Sequence, residues 1–481
     1  MPIKNGEQYI DRLKRSNASV WIHGEKVNVP IPSHPAFAGL ISTQAELYDM
    51  QSREELRSVM TYESPTTGEP VGLSFLQPAN RSDLERRRSM MKVWAEAHHG
   101  FLGRAPDYMN TGMMAFGSAA GLLNELHPTY AENMKAYYEY CRENDITLSH
   151  AFIVPHTARL STLMKTLEEP DAPRVIEKTK DGLVVSGAFL LATQGVTAEE
   201  ILIFPPPLPS IYEENPHAFA IAIPHDLPGV KFICRESFVS GASAFDFPLS
   251  SRYEEMDTLV VLDHVLVPHE RVLLYGDEHM AVRFIEESHF HMHAGHQVLC
   301  RNIAKTEFLL GTVESIIQSL GLRTYTQVIE KAAEVIATLE TLKALLTASE
   351  ANAQLDRWGT MLPDAKPLSA ASYLFPKLYP RMLEIVQLLG ASGLVMIPGE
   401  DDFRSDVADE IGRYLRGIDI SAKDRVGLFR LAWEMSSSSF AGRQSLYERF
   451  FFGDAVKVST RLYHGYSEKD TFAETVKRFL T

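Results

Sequence analysis

The stretch Val175-Ile176-Glu177-Lys178-Thr179-Lys180-Asp181-Gly182-Leu183-Val184-Val185-Ser186 sets two β-rich runs around an Asp-Gly pair. Asp-Gly accepts the positive φ angles of a two-residue turn, so the segment predicts a hairpin of antiparallel strands. Similar runs occur at Ile201-Leu202-Ile203-Phe204, Phe219-Ala220-Ile221-Ala222-Ile223, Val230-Lys231-Phe232-Ile233-Cys234 and Thr258-Leu259-Val260-Val261-Leu262. Short strands at this spacing predict an antiparallel barrel or sandwich over residues 151–276.

On either side the hydrophobic period changes. Residues 1–150 read as mainly helical, with polar loops such as Ser64-Pro65-Thr66-Thr67-Gly68-Glu69-Pro70, and Asp145 is placed to cap the next element of the chain. Residues 277–481 read as long helices. Val328, Val335, Ile336, Leu339, Leu342 and Leu346 form one stripe there, which suits a bundle core or subunit interface better than a cofactor box. The expected architecture is therefore α+β, with an N-terminal helical domain, a middle β domain and a C-terminal helical bundle.

Length supports this division, because 481 residues exceed what one hydrophobic core serves. The 45% hydrophobic and 23% charged fractions argue against long disorder. A formal net charge of −15 without a basic patch argues against a nucleic-acid partner. Arg86-Arg87-Arg88 comes after Asp83 and Glu85 in a helical pattern and reads as a solvated helix face. Cys141, Cys234 and Cys300 are odd in number and widely spaced, which predicts neither a disulfide framework nor a CxxC metal site. With no signal-peptide core near Met1–Gly6 and no membrane-length apolar run, a soluble cytoplasmic protein is expected.

The chemistry starts from Gly103-Arg104-Ala105-Pro106-Asp107-Tyr108 and Leu148-Ser149-His150-Ala151. Arg104 and Tyr108 are one helical turn apart, so both polar tips can enter one pocket. A guanidinium, a phenol and an imidazole there would bind and polarise a small hydroxylated or anionic substrate. The bland alternative pairs Arg104 with Asp107 on a helix and leaves His150 as a satisfied core histidine.

The domain order resembles the acyl-CoA dehydrogenase-like flavoproteins. Several segments resemble one branch of them, the oxygenase components of two-component flavin-dependent phenol monooxygenases of the 4-hydroxyphenylacetate 3-monooxygenase family. These are Ser74–Pro78, Gly103–Asn110, Pro248–Asp257, Asp263–Val272, Ala304–Glu307 and Tyr447–Asp454. The resemblance implies a homotetramer that takes reduced FAD (FADH2) from a separate flavin reductase. It would react the flavin with O2 and, through a flavin hydroperoxide, hydroxylate a phenol ortho to its hydroxyl. The lack of a GxGxxG strand-turn-helix fits an oxygenase that need not bind NAD(P)H.

By that resemblance Arg104, Tyr108 and His150 are catalytic and hold the phenolic hydroxyl at the flavin edge. Hydrogen bonds that favour phenolate would make the ring more electron-rich for electrophilic attack. His150, His156, Thr157, Ala158, Arg159 and Thr193 match flavin-binding positions. Two residues before Thr193, Leu191 replaces a threonine that the family often carries, and its contact should be lost. Gly453, Asp454, Ala455 and Val456 match backbone that receives the adenine dinucleotide across a subunit interface, while Phe450-Phe451-Phe452 reads as packing. The substrate loop Phe204-Pro205-Pro206-Pro207-Leu208-Pro209 is stiffened by four prolines without backbone donors. Pro206 and Pro207 therefore weaken the case for 4-hydroxyphenylacetate itself and leave simple phenols, nitrophenols, halophenols or heteroaromatics open.

Three rivals stand beside this reading. A 4-hydroxybutyryl-CoA dehydratase-like enzyme would hold an iron–sulfur cluster with three cysteines and a histidine, and His293 and Cys300 sit where two ligands could be. No cysteine precedes Cys141 to complete the set. A zinc or iron site could form at His289, His293 and His296 with Glu286, if all lie on one helix face. A scaffold that has lost catalysis is the third, against which the intact Arg104, Tyr108 and His150 argue.

Overall fold

The computed structural model describes residues 2–157, 172–204, 214–239, 241 and 243–481. They form two compact units. The first comprises Met1–Ala242, Ser250–Gln297 and Leu355–Leu362; the second comprises Ser243–Leu249, Val298–Gln354 and Pro363–Thr481.

Ten strands organise the first unit: β1 (Ser19–Ile22), β2 (Glu25–Lys26), β3 (Leu148–Ala151), β4 (Arg174–Lys178), β5 (Gly182–Thr193), β6 (Glu200–Ile203), β7 (Asn215–Pro224), β8 (Val230–Cys234), β9 (Asp257–Pro268) and β10 (Val272–Gly276). One sheet runs in the order β2-β1-β8-β9-β5-β4 and the other β10-β7-β6-β3. Phe189, Phe232 and Val260 of the first sheet share a single core with Ile201, Ile221 and Ile223 of the second. Among the described residues the sheets stay open, so of the two expected forms the sandwich is the one adopted.

The hairpin forms where expected, but its turn is longer. Lys178 pairs with Leu183, leaving Thr179–Gly182 as the connection. The Thr179 hydroxyl accepts hydrogen bonds from the Asp181 and Gly182 backbone N–H groups and draws the loop together. Gly182 has φ +154°, and a Cβ there would lie 2.0 Å from the Val267 carbonyl oxygen, so the close strand approach requires glycine.

Residues 1–150 are mainly helical as expected, and two readings within them are corrected. This part also supplies β1, paired in parallel with β8 through Val20 and Phe232. Asp145 ends the Pro128–Asn144 helix instead of starting another element, at φ 48°. Its carboxylate is buried and accepts from the Lys4 backbone N–H and Gln51 Nε2. Arg87 is not solvated: it is 1% exposed and donates to the carbonyls of Ser74 and Leu76 and to Thr111 Oγ1. Its spacing from Leu84, Met91 and Trp94 puts it on the buried face of the Arg81–Ala97 helix.

The second unit is helical. The Thr326–Ala351 helix buries Val328, Val335, Leu339, Leu342 and Leu346, whereas Ile336 of the same stripe is 48% exposed. The Phe290–Leu320 helix enters this unit from Val298 onward. From it Arg301 and Lys305 donate to the Glu448 carboxylate at 2.5–2.8 Å, on the Ser439–Phe450 helix. Among the described residues no helix is long and apolar enough to cross a membrane.

Candidate active site

Pro106 opens the Pro106–Ser118 helix, and the residue before a proline is kept out of the helical region. Ala105 accordingly sits at φ −53°, ψ 151°, so Arg104 precedes the helix rather than sharing a turn with Tyr108. The two side chains still meet. The Arg104 guanidinium carbon lies 4.3 Å from the centroid of the Tyr108 ring, a cation–π contact.

His150 comes from β3, which is fixed by parallel pairing with β6 through His150 and Leu202. Its ring centroid is 5.8 Å from that of Tyr108. It also stacks within 15° of parallel on Phe152 at 5.2 Å and on Phe204 at 5.9 Å. Phe290 stands edge-on to both Tyr108 and Phe204. The result is a cation, a phenol and an imidazole set against three phenylalanines.

Electrostatics fix the state of the imidazole. His150 is 4% exposed, and burial first, then the Arg104 charge, push its pKa well below the usual histidine value. The ring is neutral near pH 7, with one nitrogen a donor and the other an acceptor. Its Nδ1 is buried and has no hydrogen-bond partner among the described residues. Such an orphan is costly unless something else satisfies it.

Thr193 ends β5, and its hydroxyl donates to Asp257 at 2.7 Å. Asp257 in turn accepts from Arg235 Nε at 3.0 Å. The Thr193 carbonyl takes the hydroxyl of Ser149, the neighbour of His150. Leu191 is 42% exposed, an apolar surface close to this polar strand end.

These groups fit a flavin and a phenol. A flat, largely apolar ring system with a polar edge matches an aromatic wall and an imidazole nitrogen that no described residue satisfies. Arg104, Tyr108 and His150 are thus brought together as the sequence suggested, with Thr193 joined to His150 through Ser149. His156 and Thr157 are exposed, while Ala158, Arg159, Pro206 and Pro207 lie outside the described residues. Gly453 through Val456 belong to the second unit, where Gly453 takes φ +105° and Asp454 caps the Ala455–Gly465 helix by accepting from the Lys457 N–H. Phe152 and Phe290 were missed. The period of two from His150 was the available signal for Phe152, and nothing in the local pattern marked Phe290.

His289 sits at φ 56°, just before the helix that begins at Phe290, so the regular helical spacing assumed for His289, His293 and His296 does not hold at its first member. No group of three His, Cys, Asp or Glu side chains among the described residues is arranged to hold a metal ion.

Comparison with known proteins agrees over the whole chain. The family model for the 4-hydroxyphenylacetate 3-hydroxylase N terminal matches residues 5–274, and that for the C terminal matches residues 281–481. The 4-hydroxyphenylacetate 3-monooxygenase oxygenase component of Geobacillus sp. (strain PA-9) is 45% identical, with 100% of this chain and 97% of that protein covered. A crystal structure of a 4-hydroxyphenylacetate 3-monooxygenase oxygenase component complexed with FAD and 4-hydroxyphenylacetate superposes with a TM-score of 0.93 at 40% identity, covering 99% of this chain and 98% of that one. An archaeal 4-hydroxybutyryl-CoA dehydratase from N. maritimus superposes with a TM-score of 0.87 at 20% identity, over 99% and 95% of the two chains, and shares the fold alone. The chain belongs to the 4-hydroxyphenylacetate 3-hydroxylase family.

Proposed function

We propose that this chain is the oxygenase component of a two-component aromatic monooxygenase. It uses FADH2 and O2 to hydroxylate a phenol ortho to its hydroxyl, giving a catechol, oxidised FAD and water. The observation that carries this reading is the buried Nδ1 of His150, without a partner among the described residues, beside Arg104 and the aromatic wall. When bound, FADH2 supplies the two electrons that let one oxygen atom of O2 enter the ring and the other leave as water. Arg104 and His150 hold the phenolic oxygen, and the Arg104 charge favours phenolate, the more electron-rich form. Tyr108 keeps the guanidinium in place, and the phenylalanines exclude water from the reacting ring.

The remaining parts of the reading rest on family membership. A separate reductase delivers FADH2, four copies assemble, and Gly453–Val456 receive the adenine dinucleotide of a neighbouring subunit. His156, Thr157, Ala158 and Arg159 serve the flavin tail, and Pro206 and Pro207 shape the phenol pocket. The enzyme works in the cytoplasm on 4-hydroxyphenylacetate or a simpler phenol.

The test is to mix the protein anaerobically with FADH2, admit O2 with a panel of phenols, and quantify catechol and H2O2. Catechol formed in proportion to FADH2 supports the reading. FADH2 oxidation at the protein-free rate, with H2O2 as the sole product for every phenol, overturns it.

A further inference from the structure

A buried chain of hydrogen bonds reaches the Arg104 backbone. The Arg104 backbone N–H donates to Glu255 Oε1 at 2.7 Å, and the same oxygen accepts from Gln194 Nε2 at 2.9 Å. Gln194 Oε1 accepts from Gln44 Nε2, and Gln44 Oε1 accepts from the Tyr9 hydroxyl. Glu255, Gln44 and Tyr9 are fully buried and Gln194 is 3% exposed. No member is a surface side chain free to choose another conformation.

The segment bearing Glu255 is itself clamped. Arg235 donates to the Glu254 carboxylate, to the Glu255 carbonyl and to the Asp257 carboxylate at 2.7–3.0 Å. The Met256 carbonyl accepts from the Gln194 N–H, which is held at φ 61°. A left-handed backbone at a non-glycine residue is strained and persists only where its surroundings impose it. Three residues, Glu255 to Asp257, therefore grip Thr193 and Gln194 at the end of β5 and the Arg104 turn together.

We infer that Glu255 is the positioning residue for Arg104, setting the guanidinium of the phenol site through the Arg104 backbone. The inference rests on the hydroxylation proposed above. Arg104 lies outside the helix next to it, so helical hydrogen bonds do not place it, and the Glu255 carboxylate supplies a fixed point instead. A shift of the turn by about 1 Å is enough to cost on the order of 100-fold in a positioned reaction.

Two readouts on the full-length protein test this: phenol binding to the flavin-free protein by calorimetry, and catechol formed per FADH2 oxidised. Glu255→Ala should weaken phenol binding at least about 10-fold and lower the catechol yield, with FADH2 oxidation within about twofold of wild type. Glu255→Gln keeps an acceptor oxygen and should restore binding to within about threefold. In an Arg104→Ala background Glu255→Ala should add less than about twofold, because both changes act on one guanidinium. Wild-type binding and yield in Glu255→Ala, additive losses in the double variant, or equal loss in the Gln and Ala variants would each overturn the inference. If Glu255→Ala does not fold, Glu255→Asp withdraws the oxygen by one methylene and is read the same way. A wild-type protein that binds phenols yet forms no catechol would sink the proposed function alone, and the binding comparison would still judge Glu255.

Discussion

In the second unit, buried Glu448 accepts from Arg301 and Lys305, and these cations hold its pKa down to about 2 against the opposing effect of burial. In the first unit, buried His150 has a neighbouring charge of the wrong sign for an imidazolium, and its Nδ1 has no partner among the described residues. Both clusters contain arginine. The difference is that one supplies its own counter-charge, while the other has a ring nitrogen that no described residue satisfies. A carboxylate ringed by its own cations holds structure; a buried imidazole nitrogen that no described residue satisfies, beside an aromatic wall, points to a ligand.

The largest effect should come from breaking the open cluster. Arg104→Ala and His150→Ala are expected to lower catechol yield by about 10³-fold or more, since each removes a group proposed to hold the phenolic oxygen. FADH2 oxidation should continue in both, with H2O2 rising to match. Retained catechol yield in both variants would mean that this cluster is as structural as the other.

Breaking the closed cluster should damage folding instead. Glu448→Ala leaves Arg301 and Lys305 buried without that carboxylate, which should cost about 3–5 kcal/mol in urea unfolding. The pH dependence has a definite sign. A carboxyl near 2 when folded and near its ordinary value of about 4.3 when unfolded stabilises the protein above that value. That contribution is lost as pH falls from about 4.3 toward 2. A variant as stable as wild type at pH 7 would remove the distinction drawn between the clusters.

A smaller pH effect sharpens the first unit's side. His293 is 2% exposed, and burial, followed by the Arg87 charge and then His296 and His289, holds its pKa well below the usual value. The folded protein keeps it neutral while the unfolded chain takes a proton below about 6.5, so stability falls as pH drops through that value. His293→Leu should flatten the decline between pH 6 and 5 by about 1.4 kcal/mol per pH unit, measured by urea unfolding at each pH. An unchanged slope would show that His293 is not buried as a neutral group.

Legibility depended on how local each signal was. The strand runs and the Val328–Leu346 stripe could be read because their periods repeat along the chain. Arg104, Tyr108 and His150 could be read because their residue types are unusual in company and matched a known pattern. Arg87 was misread because a run of three arginines looks solvated until Leu84, Met91 and Trp94 show which face carries the middle one. Asp145 was misread because the same residue type starts a helix or ends one in a left-handed turn. Glu255 and Gln194 act through partners far off in sequence, and no local pattern encodes such a contact.

Thr193 lies between the two kinds of cluster and should give the smallest change. Its hydroxyl donates to Asp257, so that proton is already used within the protein, as in the closed cluster. The oxygen keeps lone pairs that can accept from a flavin N–H, as an open site requires. Thr193→Val removes both functions at nearly constant shape, and the internal bond alone should cost about 1 kcal/mol of stability. If the oxygen also accepts from flavin, FADH2 affinity by anaerobic titration should fall about fivefold to tenfold, and Thr193→Ser should restore it. Loss of stability without loss of affinity would assign Thr193 wholly to the strand end. Its neighbour Leu191, exposed where a polar group is absent, would then be the flavin-facing surface of that strand.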